Sequence, residues 1–232
     1  MKQIQLPPPK VIARIHTDFP TKFGIPRQSA LAEALYSELV FEAEYRDENA
    51  IRGLEQFSHL WLIWLFSENL RSGFSPTVRP PKLGGNTRLG VFATRAPFRP
   101  NPYGLSCVRL EGIAHTAQGP VLKLRGADLM DGTPILDIKP YIPYTDCVVD
   151  AAPGYTAQTL EKVLELDFPS ELLACVPEDK REALCACLRA DPRPGYIEDP
   201  DRCYGFAFAG LEVRFRVREN VLQVTEVSAL VH

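Results

Sequence analysis

The sequence predicts a mainly β protein, with an N-terminal β-barrel over residues 1–150 and a small C-terminal α+β domain over 151–232. Three observations predict it. Short apolar runs, some alternating with polar residues, recur from Lys10 to Ile138 between Gly and Pro signals. Long amphipathic helical patterns are nearly missing from that stretch, which favours a barrel or sandwich over a layered α/β architecture. Convincing helical patterns come only after a break at Asp150-Ala-Ala-Pro-Gly-Tyr155. A chain of 232 residues suits one large domain with a modest appendage.

Residues 10–16 (KVIARIH) alternate as a half-buried strand does. Residues 17–28 contain Phe19-Pro20, Phe23-Gly24 and Pro26-Arg27-Gln28 and read as an irregular loop. Further strands are expected at 38–42, 59–66, 89–93, 105–115, 121–125 and 135–138. A doubly wound nucleotide-binding unit is excluded, because it needs helices of about 10–15 residues between strands and a Gly-rich turn after the first strand. Beyond the break, 169–176 and 178–189 read as helices, the second with Leu184 and Leu188 on one face. Two prolines in Asp191-Pro-Arg-Pro-Gly-Tyr196 stop it. Strands at 203–209, 212–217 and 221–227 close the chain.

Net charge is −3, which alone predicts no polyanionic partner. Its distribution does. Between Glu68 and Glu111 there is no Asp or Glu, yet Arg71, Arg79, Lys82, Arg88, Arg95, Arg99 and Arg109 all fall there, leaving 19 basic against 29 acidic residues elsewhere. Phe74, Phe92, Phe98 and Tyr103 lie among these cations, and cation with π-face is the composition that binds unpaired nucleotides. The longest apolar run, 60–66, is far shorter than the roughly 18 residues of a spanning helix. MKQIQLPPPK lacks a signal-peptide core, so a cytoplasmic protein without a membrane partner is expected. Cysteines 107, 147, 175, 185, 187 and 203 form no CxxC pair, and His16, His59, His115 and His232 are dispersed. No metal is expected, and the cysteines are expected to be reduced, small buried hydrophobes. Without a GxSxG string a hydrolase elbow is disfavoured, and His59 is expected to be a satisfied strand histidine.

Chemistry concentrates in three places. The acid-free segment contains Pro76-Thr-Val-Arg-Pro-Pro-Lys82, Leu83-Gly-Gly-Asn-Thr-Arg88 and Thr94-Arg-Ala-Pro-Phe-Arg-Pro-Asn-Pro-Tyr-Gly-Leu-Ser106, where proline-stiffened backbone presents guanidinium forks suited to anions. Asp128-Leu-Met-Asp-Gly-Thr-Pro-Ile-Leu-Asp137 is either a plain turn between strands or a set of carboxylates gathered on a hydroxyl-rich or cationic ligand. In Asp191-Pro-Arg-Pro-Gly-Tyr196 the prolines suffice to end a helix, so Asp191, Arg193 and Tyr196 are surplus to that task and point to contact with a ligand.

PTVRPPKLGGN, GVFATRAPFRPNPYGLS, DGTPILDIKPY and DPRPGY, in this order from about Val11 to the last strands, resemble the TrmO family (TsaA-like, also called YaeB or VirR-like). The resemblance implies S-adenosylmethionine-dependent methylation of N6 of threonylcarbamoyladenosine at position 37, beside the tRNA anticodon. It also implies a β-barrel that binds the donor, a homodimer with the donor pocket near the subunit contact, and a partner in the tRNA anticodon loop. Carried over by position, it implies donor contacts from Pro26, Arg27, Gln28, Arg95, Leu105 and the turn Asp128, Leu129, Met130, Asp131 and Gly132. Ser67 and Glu68 stand where some relatives have a His-Gln pair, and Tyr103 where an aliphatic residue is more usual. A base among Asp128 and Asp131, or the Asp191/Tyr196 pair, is expected to take the N6 proton. Lys82, Arg88, Arg99 and Arg193 are the expected RNA contacts, with Lys82, Arg99 or Arg193 gripping the threonyl carboxylate. Two rival readings need no such donor: a non-catalytic RNA- or nucleotide-binding barrel, and an enzyme acting on an anionic metabolite. The whole scheme requires Arg95 and the aspartate turn to share one cavity.

Overall fold

The computed structural model describes residues 8–26, 33–70, 74–80, 83, 87–158, 163–193 and 199–230. In the first part of the chain the strands are β1 (Ala13–His16), β2 (Tyr36–Phe41), β3 (His59–Leu65), β4 (Thr77–Val78), β5 (Leu89–Gly90), β6 (Tyr103–Thr116), β7 (Gly119–Arg125) and β8 (Pro134–Pro140). Six of them close an antiparallel barrel in the order β1-β2-β7-β6-β3-β8. The period-two pattern explains the closure. Ile15 pairs with Leu39, Leu39 with Leu122 and Leu60 with Val108, so these buried side chains meet inside the barrel while alternate residues face out. A slip of one residue would turn the whole set outward.

Two register shifts bend this wall. Glu111 is the extra residue between β6 and β7, and Leu136 the extra residue between β8 and β3, beside Trp64. The strand expected over 89–93 ends at Gly90. Its β5 pairs only with β4 in a two-stranded ribbon, and Val91–Ala93 is a 3-10 turn. The reason lies at Val91, which is buried; its N–H donates to the Pro76 carbonyl, and its own carbonyl accepts from the N–H and the hydroxyl of Thr94.

Past a short helix, α1 (Pro143–Asp146), the chain builds β9 (Glu165–Asp167), α2 (Ser170–Ala174), α3 (Glu178–Arg189), β10 (Tyr204–Phe208), β11 (Leu211–Arg218) and β12 (Val221–Ala229). They form a sheet in the order β10-β11-β12-β9, in which β9 runs parallel to β12. Three residues carry too little periodicity for β9 to be read from sequence. Helix α3 buries Ala183, Leu184, Cys187 and Leu188 in a core shared with Phe206, Phe208 and Phe215.

That second core also takes in Phe19 and Leu35 from the first long loop. The Phe19 ring meets Phe208 edge-on at 5.2 Å, and the Ala209 N–H donates to the Asp18 carbonyl at 2.9 Å. At Gly24 the φ of +94° and the Phe206 ring, 2.2 Å from where a Cβ would stand, both require glycine. The loop is thus irregular, as expected, yet firmly packed.

The cysteines depart from expectation. Cys187 is buried, and burial pushes its thiol up to about 12. Cys147, Cys175 and Cys203 are exposed, because they lie just beyond α1, just beyond α2 and just before β10, at element ends on the surface. Among the described residues no helix is long and apolar enough to cross a membrane.

Candidate active site

A cavity of about 660 Å³ opens at one end of the barrel. It is lined by Trp64 at the β3 end, Leu105 at the β6 start, Asp128, Leu129 and Met130 in the β7–β8 connection, and Arg95 and Arg99 from the segment before β6. The first loop adds Lys22, Ile25 and Pro26. Lys22 Nζ donates to the Glu68 carbonyl (3.0 Å) and to Asn69 Oδ1 (2.9 Å), fixing the 3-10 turn Ser67–Asn69 that completes the wall.

Asp128 is the centre of its chemistry. Ser106 Oγ donates to Asp128 Oδ1 at 2.6 Å, and Trp64 Nε1 donates to Ser106 Oγ at 3.0 Å, so the indole leaves the hydroxyl with its proton turned to the carboxylate. Strand register creates the chain: Trp64 pairs with Gly104 and Leu62 with Ser106, which makes Trp64 and Ser106 diagonal neighbours. Gly104 is needed under the indole, since a Cβ there would stand 2.2 Å from Trp64 Cε2. Burial pushes the Asp128 carboxyl above its ordinary range, while the Ser106 hydrogen bond, its own backbone N–H and the Arg95 charge pull it back down. The result is a carboxylate with one oxygen anchored, poised to accept a proton.

Asp131 is placed differently. Its Oδ1 accepts from the Thr17 N–H (3.1 Å) and lies 3.2 Å from His16 Nδ1, outside the cavity lining. Gly132, at φ +74°, accepts from Arg14 with its carbonyl and donates with its N–H to the Ile15 carbonyl; it too lies outside the lining. The turn therefore splits its aspartates: Asp128 shares the cavity with Arg95, Asp131 ties the turn to β1, and Asp137 pairs with Lys139. A single ligand gripped by all three carboxylates is ruled out by this geometry.

The other expected residues scatter. Arg99 lines the cavity, but its Nη1 donates to the carbonyls of Val91 (3.1 Å) and Thr94 (2.6 Å). Arg88 donates to Thr77 Oγ1 across the β4–β5 ribbon. Asp191 takes a left-handed φ of +50° just past α3 and holds the Arg193 guanidinium with both oxygens, each 2.8 Å away. Neither lines the cavity. Arg27, Gln28, Lys82 and Tyr196 lie outside the described residues. His59 is satisfied by Ser58 Oγ at 2.9 Å. Sequence reading missed Lys22, Trp64 and Ser106; the register pairing Trp64 with Gly104 is the one signal that links the last two, and it exists only once the strands are aligned.

Two family models match the chain: tRNA-methyltransferase O N-terminal domain over residues 14–147 and TrmO C-terminal domain over 157–230. The chain belongs to the TrmO family. The Escherichia coli K12 protein named tRNA (adenine(37)-N6)-methyltransferase is 38% identical over 221 residues, which cover 92% of this chain and 94% of that one. A protein of the same name from Eikenella corrodens is 45% identical over 175 residues, covering 75% and 98% respectively. A crystal structure of TrmO from P. aeruginosa superposes with a TM-score of 0.79 at 36% identity, covering 99% of this chain and all of that one. The closed barrel with its C-terminal sheet is the architecture these TrmO structures share with it.

Proposed function

We propose that this chain methylates N6 of adenosine 37 in tRNA, with S-adenosylmethionine as donor. The observation that carries the reading is the anchored Asp128 carboxylate in a cavity also lined by Arg95 and Arg99, in a chain whose relatives are named for that reaction. The cavity's chemistry suits the donor: a carboxylate and the Trp64 π-face for a sulfonium, apolar Leu105, Leu129 and Met130 for its carbon skeleton, and Arg95 for its carboxylate. When bound, the donor supplies an electrophilic methyl group.

The chain's own residues supply positioning and proton transfer. In-line attack needs the acceptor nitrogen about 3–3.5 Å from the methyl carbon with water displaced, and Trp64, Leu105, Leu129 and Met130 supply apolar lining against which donor and base can pack. As the N6 lone pair forms the new N–C bond and the C–S bond breaks towards sulfur, the N6 proton passes to the free oxygen of Asp128. For the threonylcarbamoyl base N6 is ureido-like and weakly nucleophilic, so proton removal matters most there. Arg99, anchored on two carbonyls and lining the cavity, is the cation best set to meet the threonyl carboxylate. The same reading takes residues 1–150 and 151–232 as two domains of a cytoplasmic homodimer; two cores support the division, the second of which also takes in Phe19 and Leu35 from the N-terminal part.

The test is transfer of labelled methyl from S-adenosylmethionine to tRNA bearing or lacking threonylcarbamoyl at position 37, followed by nucleoside mass spectrometry. Label on N6 of that adenosine, dependent on Asp128, is expected. Donor binding without transfer to either tRNA refutes it.

A further inference from the structure

We propose that Phe92 is a stacking platform for an unpaired nucleotide of the RNA, one that neighbours the base held in the cavity. This rests on the tRNA reading above and adds to it a contact outside the cavity. Phe92 is 72% exposed, the most exposed phenylalanine among the described residues, although it sits in a segment with no slack. Val91 before it is buried and hydrogen-bonded to Pro76. Thr94 donates to the Val91 carbonyl with both its N–H (3.2 Å) and its hydroxyl (2.9 Å). Arg99 then ties the Val91 and Thr94 carbonyls together. A large ring held out on so stiff a support is preorganised, and binding to it orders little that was loose.

One guanidinium links the ring to the cavity. The Arg99 Cζ lies 5.7 Å from the Phe92 ring centroid, while Arg99 and Thr94 themselves line the cavity. A flat group stacked on Phe92 is therefore a near neighbour of whatever enters beside Asp128. Charge decides what that group is. Phe92 stands in the stretch from 69 to 110 that has no acidic residue, with Arg88 and Arg95 exposed on the same segment, and Arg99 donates there to the neutral carbonyls of Val91 and Thr94. A partner with negative charge at regular intervals and a π-face on every unit fits both features, and single-stranded RNA is that partner.

The test uses the full chain and tRNA, measuring equilibrium tRNA binding, KM and kcat for tRNA, and S-adenosylmethionine binding. Phe92→Ala is expected to weaken tRNA binding and raise its KM by between about 5- and 150-fold, the loss of one stacked base, while donor binding stays at the wild-type value. Phe92→Trp should recover the affinity, whereas Phe92→Leu, apolar but without a ring, should not. Tight binding by Phe92→Ala within about twofold of wild type, or equal recovery by Leu and Trp, overturns the platform. If wild type transfers no methyl but Phe92→Ala still loses tRNA affinity, the RNA contact stands and the reaction assignment falls. If wild type binds no tRNA, both fall.

Discussion

Ser106→Ala isolates the role of the anchored carboxylate. Ser106 is 2% exposed and its hydroxyl lies 2.6 Å from Asp128 Oδ1, so no water takes its place when it is removed. A hydrogen bond to a charged group is worth about 1.5–3 kcal/mol, which is roughly a 10- to 150-fold change in the balance between ionised and protonated Asp128. The bond holds the carboxyl down against burial, so its loss raises the pH at which Asp128 ionises. Arg95 is the charge that acts on this carboxyl, Arg99, Lys22 and Glu68 line the same cavity, and the substitution leaves them all in place. Single-turnover methyl transfer at saturating donor and tRNA should then show an acid limb moved to higher pH. The rate falls by roughly 10- to 150-fold on that limb and converges with wild type in alkali. Trp64→Phe, which removes the donor behind Ser106, should move the limb the same way by less. A rate lowered equally at every pH would reduce Ser106 to a packing role and refute the mechanism.

Asp128→Asn should lose about 10²–10⁴-fold in transfer yet raise thermal stability, by about 0.5–2 kcal/mol at neutral pH. The sign follows from a carboxyl raised above its unfolded value. Its charged form opposes folding as pH rises through the folded value, and in strong acid, where both states are protonated, the advantage of Asn vanishes. Calorimetric scans across pH check it. Gly104→Ala should cost about 1–3 kcal/mol and weaken donor binding, because the added Cβ meets the Trp64 ring at 2.2 Å; titration calorimetry with donor reads the second effect. Binding of tRNA should weaken steeply with added salt, as displaced counterions drive it, and a salt-independent Kd would contradict the basic lining.

Barrel strands were legible because one-sided burial imposes a period of two, and β1, β2, β6 and β7 each carry it. The C-terminal helix was legible from Leu184 and Leu188 and from the prolines that end it. The 3-10 turn at Val91–Ala93 was not, because a β-branched apolar start reads as strand until the Pro76 and Thr94 partners are in place. Within the cavity, Pro26, Leu105, Leu129 and Met130 were named through resemblance alone, whereas Arg95 and Asp128 also stood out in the acid-free segment and the aspartate turn. The Trp64–Ser106–Asp128 chain joins positions 64, 106 and 128, and only strand register and the β7–β8 turn bring such distant residues together.

Why the aspartate turn divides its labour follows from the first long loop. Phe19 is buried in the C-terminal core, yet its carbonyl accepts from the Asp131 N–H at 2.8 Å, and Thr17 donates with its N–H to Asp131 Oδ1 and with its hydroxyl to the Leu129 carbonyl. A few residues on, Lys22, Ile25 and Pro26 form cavity wall. The loop is a strap with one face in the second core and the other on the turn that presents Asp128. Asp131 must be committed to the strap so that Asp128, three residues earlier, is held still against Ser106. A carboxylate that accepts a proton at a fixed distance needs such a support. The C-terminal sheet, through Phe208 and Phe206 packed on Phe19 and Phe23, thereby sets the geometry of a site that contains none of its own residues.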